Sequence, residues 1–209
     1  MTDIFFDEQS HVYLVNGTAT PSVTDILAPL HRSYGAISPA VLEYAANRGT
    51  AVHEACELID LGADPEIYPE IEGYVRAYMD FLNVYRPEWV EIEKIVYNET
   101  DGYIGRLDRL GYFNGDKYKL NVVDIKTSAA NRESITSACL QTYAYAHAYA
   151  LHAPIGQYVL FLKSDGSWRL VDSFEYQKKN DFTAWLCWKQ LLDTHKLVTE
   201  LLATGKDRK

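Results

Sequence analysis

Gly105-Arg106-Leu107-Asp108-Arg109-Leu110 and, beyond a turn signal at Asn114-Gly115-Asp116, Val122-Val123-Asp124-Ile125-Lys126-Thr127 decide how this chain is read. Both stretches carry the apolar runs of strands, and each is interrupted by an aspartate. Aspartate is disfavoured in strands because its short side chain competes with the backbone for hydrogen bonds. Two such exceptions on successive strands point to a task other than sheet formation. On a strand, residues i and i+2 share a face, so Asp124 and Lys126 point one way and Ile125 the other. A carboxylate pair beside an ammonium suits a divalent cation working on phosphate. The oxygens take the hard cation, and the ammonium orients a water or steadies developing charge. Asp108, Asp124 and Lys126 are therefore the candidate catalytic residues. Taken singly, each would read as a surface residue, with Lys126 snorkelling.

Outward from this pair, strands are expected over about 89–97, 103–113 and 118–127, separated by Asp101-Gly102 and Asn114-Gly115-Asp116. A helix over about 134–151 follows, with Gln141 and Tyr145 one turn apart on one face. Strands over 157–162 and 168–174 flank a turn at Asp165-Gly166, and a long helix over 179–204 buries Phe182, Trp185, Leu186, Leu192, Val198 and Leu202. A basic tail, Lys206 to Lys209, ends the chain. Upstream, a helix over 66–85 presents Ile71, Val75, Tyr78, Leu82 and Tyr85 and stops before Pro87. Another opens at Ser38-Pro39, runs through Val41, Leu42, Ala45, Val52, Cys56 and Ile59, and stops near Gly62. Residues 4–6 and 11–15 read as a hairpin, and Ser22 with Asp25 has the spacing of a capping box. This order gives an α/β (α+β) fold, a central mixed sheet with helices on both sides. One domain spans 1–209: hairpin and short helix to 37, core over 38–163, strand and C-terminal helix over 164–209.

At 209 residues, 47% of them hydrophobic and 16 of them tyrosine, the chain has material for a sizeable core. Its net charge of −9 argues against a broad basic face for nucleic acid, though not against a local phosphate site. Cys56, Cys139 and Cys187 are scattered, so a zinc ribbon or four-cysteine iron–sulfur site is not encoded, and the thiols suit a reducing cytosol. No apolar run is long enough for a bilayer, and no signal peptide is seen.

His53 lies one helical turn after Gly49 in Arg48-Gly49-Thr50-Ala51-Val52-His53. The glycine costs about 1 kcal/mol of helix stability against alanine, which suggests close approach to a neighbour. As a helical histidine, His53 reads equally as a structural residue and as a metal ligand. His11, His31, His147, His152 and His195 lack such a setting.

His53 in GxxxH, Asp108 in GRLD, Asp124 to Thr127 as DxKT and Gln141 to Tyr145 as QxxxY occur in that order. Together they resemble the PD-(D/E)XK nuclease superfamily, specifically its RecB-like exonuclease branch and the phage-encoded members without an iron–sulfur cluster. The resemblance runs from about residue 11 to 162. It implies a restriction-endonuclease-like core and a metal-dependent DNA exonuclease of phage or prophage recombination, repair or replication, in the cytoplasm of a bacterial host. It further implies Mg²⁺ or Mn²⁺ held by His53, Asp108, Asp124 and the backbone carbonyl of Ile125, with Lys126 positioning the attacking water. Gln141, Tyr145, Thr127, Arg106 and Arg48 would contact the DNA, and Glu93 would approach a second metal. Linear single- or double-stranded ends would be the substrate, with room for a single-strand annealing or recombination partner, for oligomers, and for no membrane. The alternatives are a non-catalytic DNA-end-binding or protein-interaction module on the same fold, and a structure-specific endonuclease.

Overall fold

Side chains of the central strand of the main sheet alternate between two helical layers. Val122 packs with Leu107, Leu140, Ala144 and Trp188 on one side, while Val123 and Ile125 pack with Val52, Cys56, Val75 and Tyr78 on the other. In the computed structural model, which describes residues 2–7, 10, 12–30, 38–150 and 153–204, this period-two alternation separates two cores. The elements are β1 (Ile4–Asp7), β2 (Val12–Val15), β3 (Thr18–Thr20), α1 (Val23–Leu27), α2 (Pro39–Asp60) and α3 (Pro69–Tyr85). Then come β4 (Glu88–Asn98), β5 (Tyr103–Tyr112), β6 (Asn121–Lys126), α4 (Arg132–Tyr149), β7 (Gly156–Leu162), β8 (Trp168–Asp172), α5 (Ser173–Lys179) and α6 (Ala184–Thr204). The main sheet has the order β4-β5-β6-β7-β8, antiparallel except for β6 and β7, which run parallel with α4 as their crossover. Helices cover both faces, so the mixed α/β architecture expected from the sequence is present.

A second, antiparallel sheet, β1-β2-β3, precedes α1. It extends the expected hairpin by one strand, turned at Asn16-Gly17 with both residues at positive φ. The Ser22–Asp25 capping box forms as expected and starts α1. Pro21 O accepts from Ile104 N at 3.1 Å, which fastens this N-terminal unit to β5.

Three expectations need correction. Residues 173–174 do not extend β8: Asp172 accepts hydrogen bonds from the backbone N–H groups of Phe174 and Glu175 and caps α5 instead. The last helix, α6, begins at Ala184 rather than near 179, with the short α5 ahead of it. Its buried stripe is Ala184, Trp188 and Leu192; Trp185 and Leu186 are exposed on the other face of that packed half, and Val198 and Leu202 are exposed in the second half, beyond the buried stripe. Val41 and Leu42 on α2 are likewise exposed. His11, His31, His152, the tail at 206–209 and part of the first turn lie outside the described residues. No helix among the described residues is long and apolar enough to cross a membrane.

Candidate active site

The β5–β6 ladder ends at Arg109↔Val123, yet both strands continue. At the next position the strands splay, and Asp108 and Asp124 stand on either side of the opening. Asp108 Oδ2 fills the gap in the ladder by accepting from Ile125 N at 2.6 Å. Asp124, on the α4 side of β6, is fully buried. Lys126 Nζ lies 2.7 Å from its Oδ2, as the shared strand face requires, and no donor besides that ammonium reaches either oxygen among the described residues. Burial raises the Asp124 carboxyl to about 6, against the pull of Lys126 and with the repulsion of Asp108.

His53 reaches the same opening from α2, on the opposite face. Its Nε2 lies 3.1 Å from the Ile125 carbonyl, and its Nδ1 lies 3.8 Å from Asp108 Oδ2 and 3.9 Å from Glu93 Oε1. With its proton on Nε2, the ring donates to the carbonyl and turns the Nδ1 lone pair toward the two carboxylates. A metal-bound imidazole is held in this way by its other nitrogen. Burial lowers the affinity of the ring for a second proton, but Asp108 and Glu93 outweigh it and raise the pKa. Gly49 contributes less than its motif suggests. A Cβ there would stand 3.6 Å from Thr127 Oγ1, an ordinary contact, so the packing itself does not demand glycine.

Glu93 is the residue whose importance is least visible in the sequence. It sits inside β4 at φ 49°, a left-handed conformation that a non-glycine residue holds only when its surroundings impose it. Its carboxylate receives Arg109 Nη1 at 2.9 Å and faces Arg106 Nε at 3.2 Å. Its carboxyl pKa is lowered, because His53 and the two arginines outweigh the effect of burial. Arg109 is itself fully buried and donates from Nε to Asp60 Oδ2 at 2.6 Å and from Nη1 to Asp108 O at 2.8 Å. Asp60, at the end of α2, also accepts from Tyr78 OH at 2.6 Å and Trp89 Nε1 at 3.0 Å. A buried ionic network thus runs from α2 through β5 to β4 and fixes the carboxylates at the opening.

His53, Glu93 and Asp108 each offer one ligand atom, and these atoms lie within 4.8 Å of one another. One imidazole nitrogen and two carboxylate oxygens make a donor set that fits a hard or borderline divalent cation. Asp124 lies beside this group rather than inside it; its buried, under-coordinated oxygens are the second sign that positive charge belongs here. The opening leads into a cleft of about 850 Å³, lined among others by Phe6, Tyr13, Asp25, Glu54, Glu57, Arg106, Lys126, Gln141 and Tyr145. Gln141 Nε2 donates to Tyr145 OH at 2.8 Å, so the two act as one unit. Gly105 makes room for them, since a Cβ there would meet Tyr145 Cε1 at 2.6 Å. Arg48 and Thr127 do not line the cleft. Arg48 instead lies over the rings of Tyr44 and Tyr74, at 5.9 and 5.2 Å.

A family model of the PD-(D/E)XK nuclease superfamily matches residues 67–202. The chain belongs to this superfamily. Members are nucleases that typically use divalent metal ions, and the cluster at the opening is consistent with that. The matched segment holds Glu93, Asp108, Asp124, Lys126, Gln141 and Tyr145 of the superfamily fold, while His53 and the β1–β3 unit precede it. No curated protein matches the chain.

Proposed function

We propose that this chain is a DNA exonuclease requiring Mg²⁺ or Mn²⁺, acting on linear DNA in phage or prophage recombination, repair or replication. The observation that carries the reading is the splay of β5 from β6, where His53, Glu93 and Asp108 converge beside the buried Asp124–Lys126 pair. Asp108, Asp124 and His53 would hold the cation, with Glu93 as a further donor and the Ile125 carbonyl either orienting His53 or joining the ligands. A bound divalent cation supplies Lewis acidity toward a phosphoryl oxygen and a water of lowered pKa.

The protein groups do the rest. Lys126, anchored on Asp124 and partly open to the cleft, donates to the attacking water or to the oxygen that gains charge. Gln141 and Tyr145 brace the wall beside them and place the strand; Arg106, across the mouth, meets a phosphate. Arg48 and Thr127 have no place in this reading, because neither lines the cleft. Intact site residues favour catalysis over a non-catalytic end-binding module. The test is end-labelled linear DNA beside covalently closed circles, with Mn²⁺ present. Digestion of the linear form with circles spared is expected; rapid linearisation of the circles would overturn the exonuclease reading in favour of an endonuclease.

A further inference from the structure

Phe6 on β1 and Tyr13 on β2 are a directly opposed cross-strand pair, with ring centroids 4.5 Å apart and planes inclined by 35°. Both line the catalytic cleft, although the sheet that carries them lies outside the segment matched to the superfamily. The unit is not loosely appended. Pro21 and Ser22, which leave β3, pair with Ile104 of β5, directly before Gly105 and Arg106. The aromatic pair is thereby fixed to the strand that presents Asp108. Tyr13 lines the same cleft as Arg106, Glu93 and Asp25.

The charge of the same cleft points the other way from ordinary phosphate binding. Asp25, Glu54 and Glu57 stand on its walls with Glu93 and Asp108, against Arg106 and Lys126 as the cations. With a net charge of −9 overall, the surface offers little to the two phosphate backbones of a duplex. Aromatic faces hold nucleic acid by stacking, which needs no positive charge but does need bases released from pairing.

We propose that the Phe6–Tyr13 pair is a base-stacking wall that makes this site select an unpaired DNA strand, either single-stranded DNA or the frayed end of a duplex. The inference rests on the nuclease reading and names the substrate class of that same site. The terminal bases stack on the wall, and the strand's phosphate is thereby led past Arg106 to the carboxylates.

The test uses the full chain with Mn²⁺ and three labelled probes of about 20 nucleotides, longer than the roughly 4–16 that a single-strand module covers. They are oligo(dT), a blunt duplex, and oligo(dT) whose terminal residues are abasic. Phe6→Leu and Tyr13→Leu keep apolar volume and remove the ring faces. Wild type is expected to show a KM about tenfold lower for oligo(dT) than for the abasic probe, and lower than for the duplex. Each leucine variant should raise the oligo(dT) KM about tenfold and affect the abasic probe little, since the stacking partner is already missing. Variants that melt like wild type and keep its KM would overturn the proposal, as would equal KM for intact and abasic probes, an arm that needs no variant to fold. If wild type cleaves none of the probes, the nuclease reading fails instead. Anisotropy of the same labelled strands without metal then decides the stacking claim by whether binding depends on the bases.

Discussion

Replacing Arg109 with methionine removes the hub of the buried network while keeping much of the side-chain volume. The guanidinium is fully buried and holds Asp60 at 2.6 Å, Glu93 at 2.9 Å and the Asp108 carbonyl at 2.8 Å. Without it, Asp60, whose side chain is 2% exposed, keeps neutral donors from Tyr78 and Trp89 but loses its counter-charge. Stranding a buried charge in this way costs about 3–5 kcal/mol. For a chain of this length each kcal/mol lowers Tm by roughly 2–4 °C, so a fall of about 6–20 °C is expected. Calorimetry or urea melts of Arg109→Met, Asp60→Asn and the double variant give the coupling. The double variant should be less destabilised than the sum of the singles by about 1–3 kcal/mol. A drop in Tm below about 2 °C for Arg109→Met, or strict additivity, would refute the idea that this network carries the architecture of the site.

Gly105→Ala would drive a Cβ to 2.6 Å from Tyr145 Cε1 and 3.0 Å from Val23 Cγ2, so about 1–3 kcal/mol of overpacking is expected, with a raised KM as Tyr145 and Gln141 shift; an unchanged melt and KM would contradict it. Lys126→Ala should leave Mn²⁺ binding by calorimetric titration largely intact yet slow digestion on the order of 10²-fold, while Asp124→Ala should weaken Mn²⁺ binding itself; wild-type turnover in Lys126→Ala would remove lysine from the chemistry. The Asp124 carboxyl, raised from the usual 3.8 to about 6, makes the folded metal-free chain bind more protons than the unfolded one, so stability from this group is greatest at low pH and is lost as pH rises toward and through 6. His53, also raised, acts with the same sign. Asp124→Asn should flatten the dependence of Tm on pH over this window, and a slope equal to wild type would count against the burial argument.

The strands that carry the candidate site were legible because aspartate is out of place in an apolar strand, and spacing alone put Lys126 beside Asp124. Helix starts with a local chemical signal, such as Ser22 with Asp25, were legible for the same reason. What escaped depends on contacts distant in sequence. Arg109 looks like any charged strand residue until Asp60, 49 positions earlier, is brought beneath it. The left-handed backbone of Glu93 has no glycine to announce it. Phe174 continues the alternation of Trp168 and Leu170 in β8, and only the position of Asp172 as a cap turns residues 173–174 into α5. The far half of α6 keeps a helical apolar stripe although the body beneath it has ended, so periodicity overstated its burial. Arg48 read as a DNA contact from its place beside Gly49; that its guanidinium lies over the rings of Tyr44 and Tyr74 was not visible in the sequence.

If the opening between β5 and β6 is a metal-dependent phosphodiesterase centre, DNA digestion must follow the metal and the carboxylates that hold it. The most direct test is digestion of linear DNA by purified protein, stripped of metal by chelator and then titrated with Mn²⁺ or Mg²⁺, alongside Asp108→Asn. Activity should vanish on stripping, return with added metal in the wild type, and fail to return in the variant. Full activity surviving exhaustive chelation, or undiminished in Asp108→Asn, would contradict that assignment.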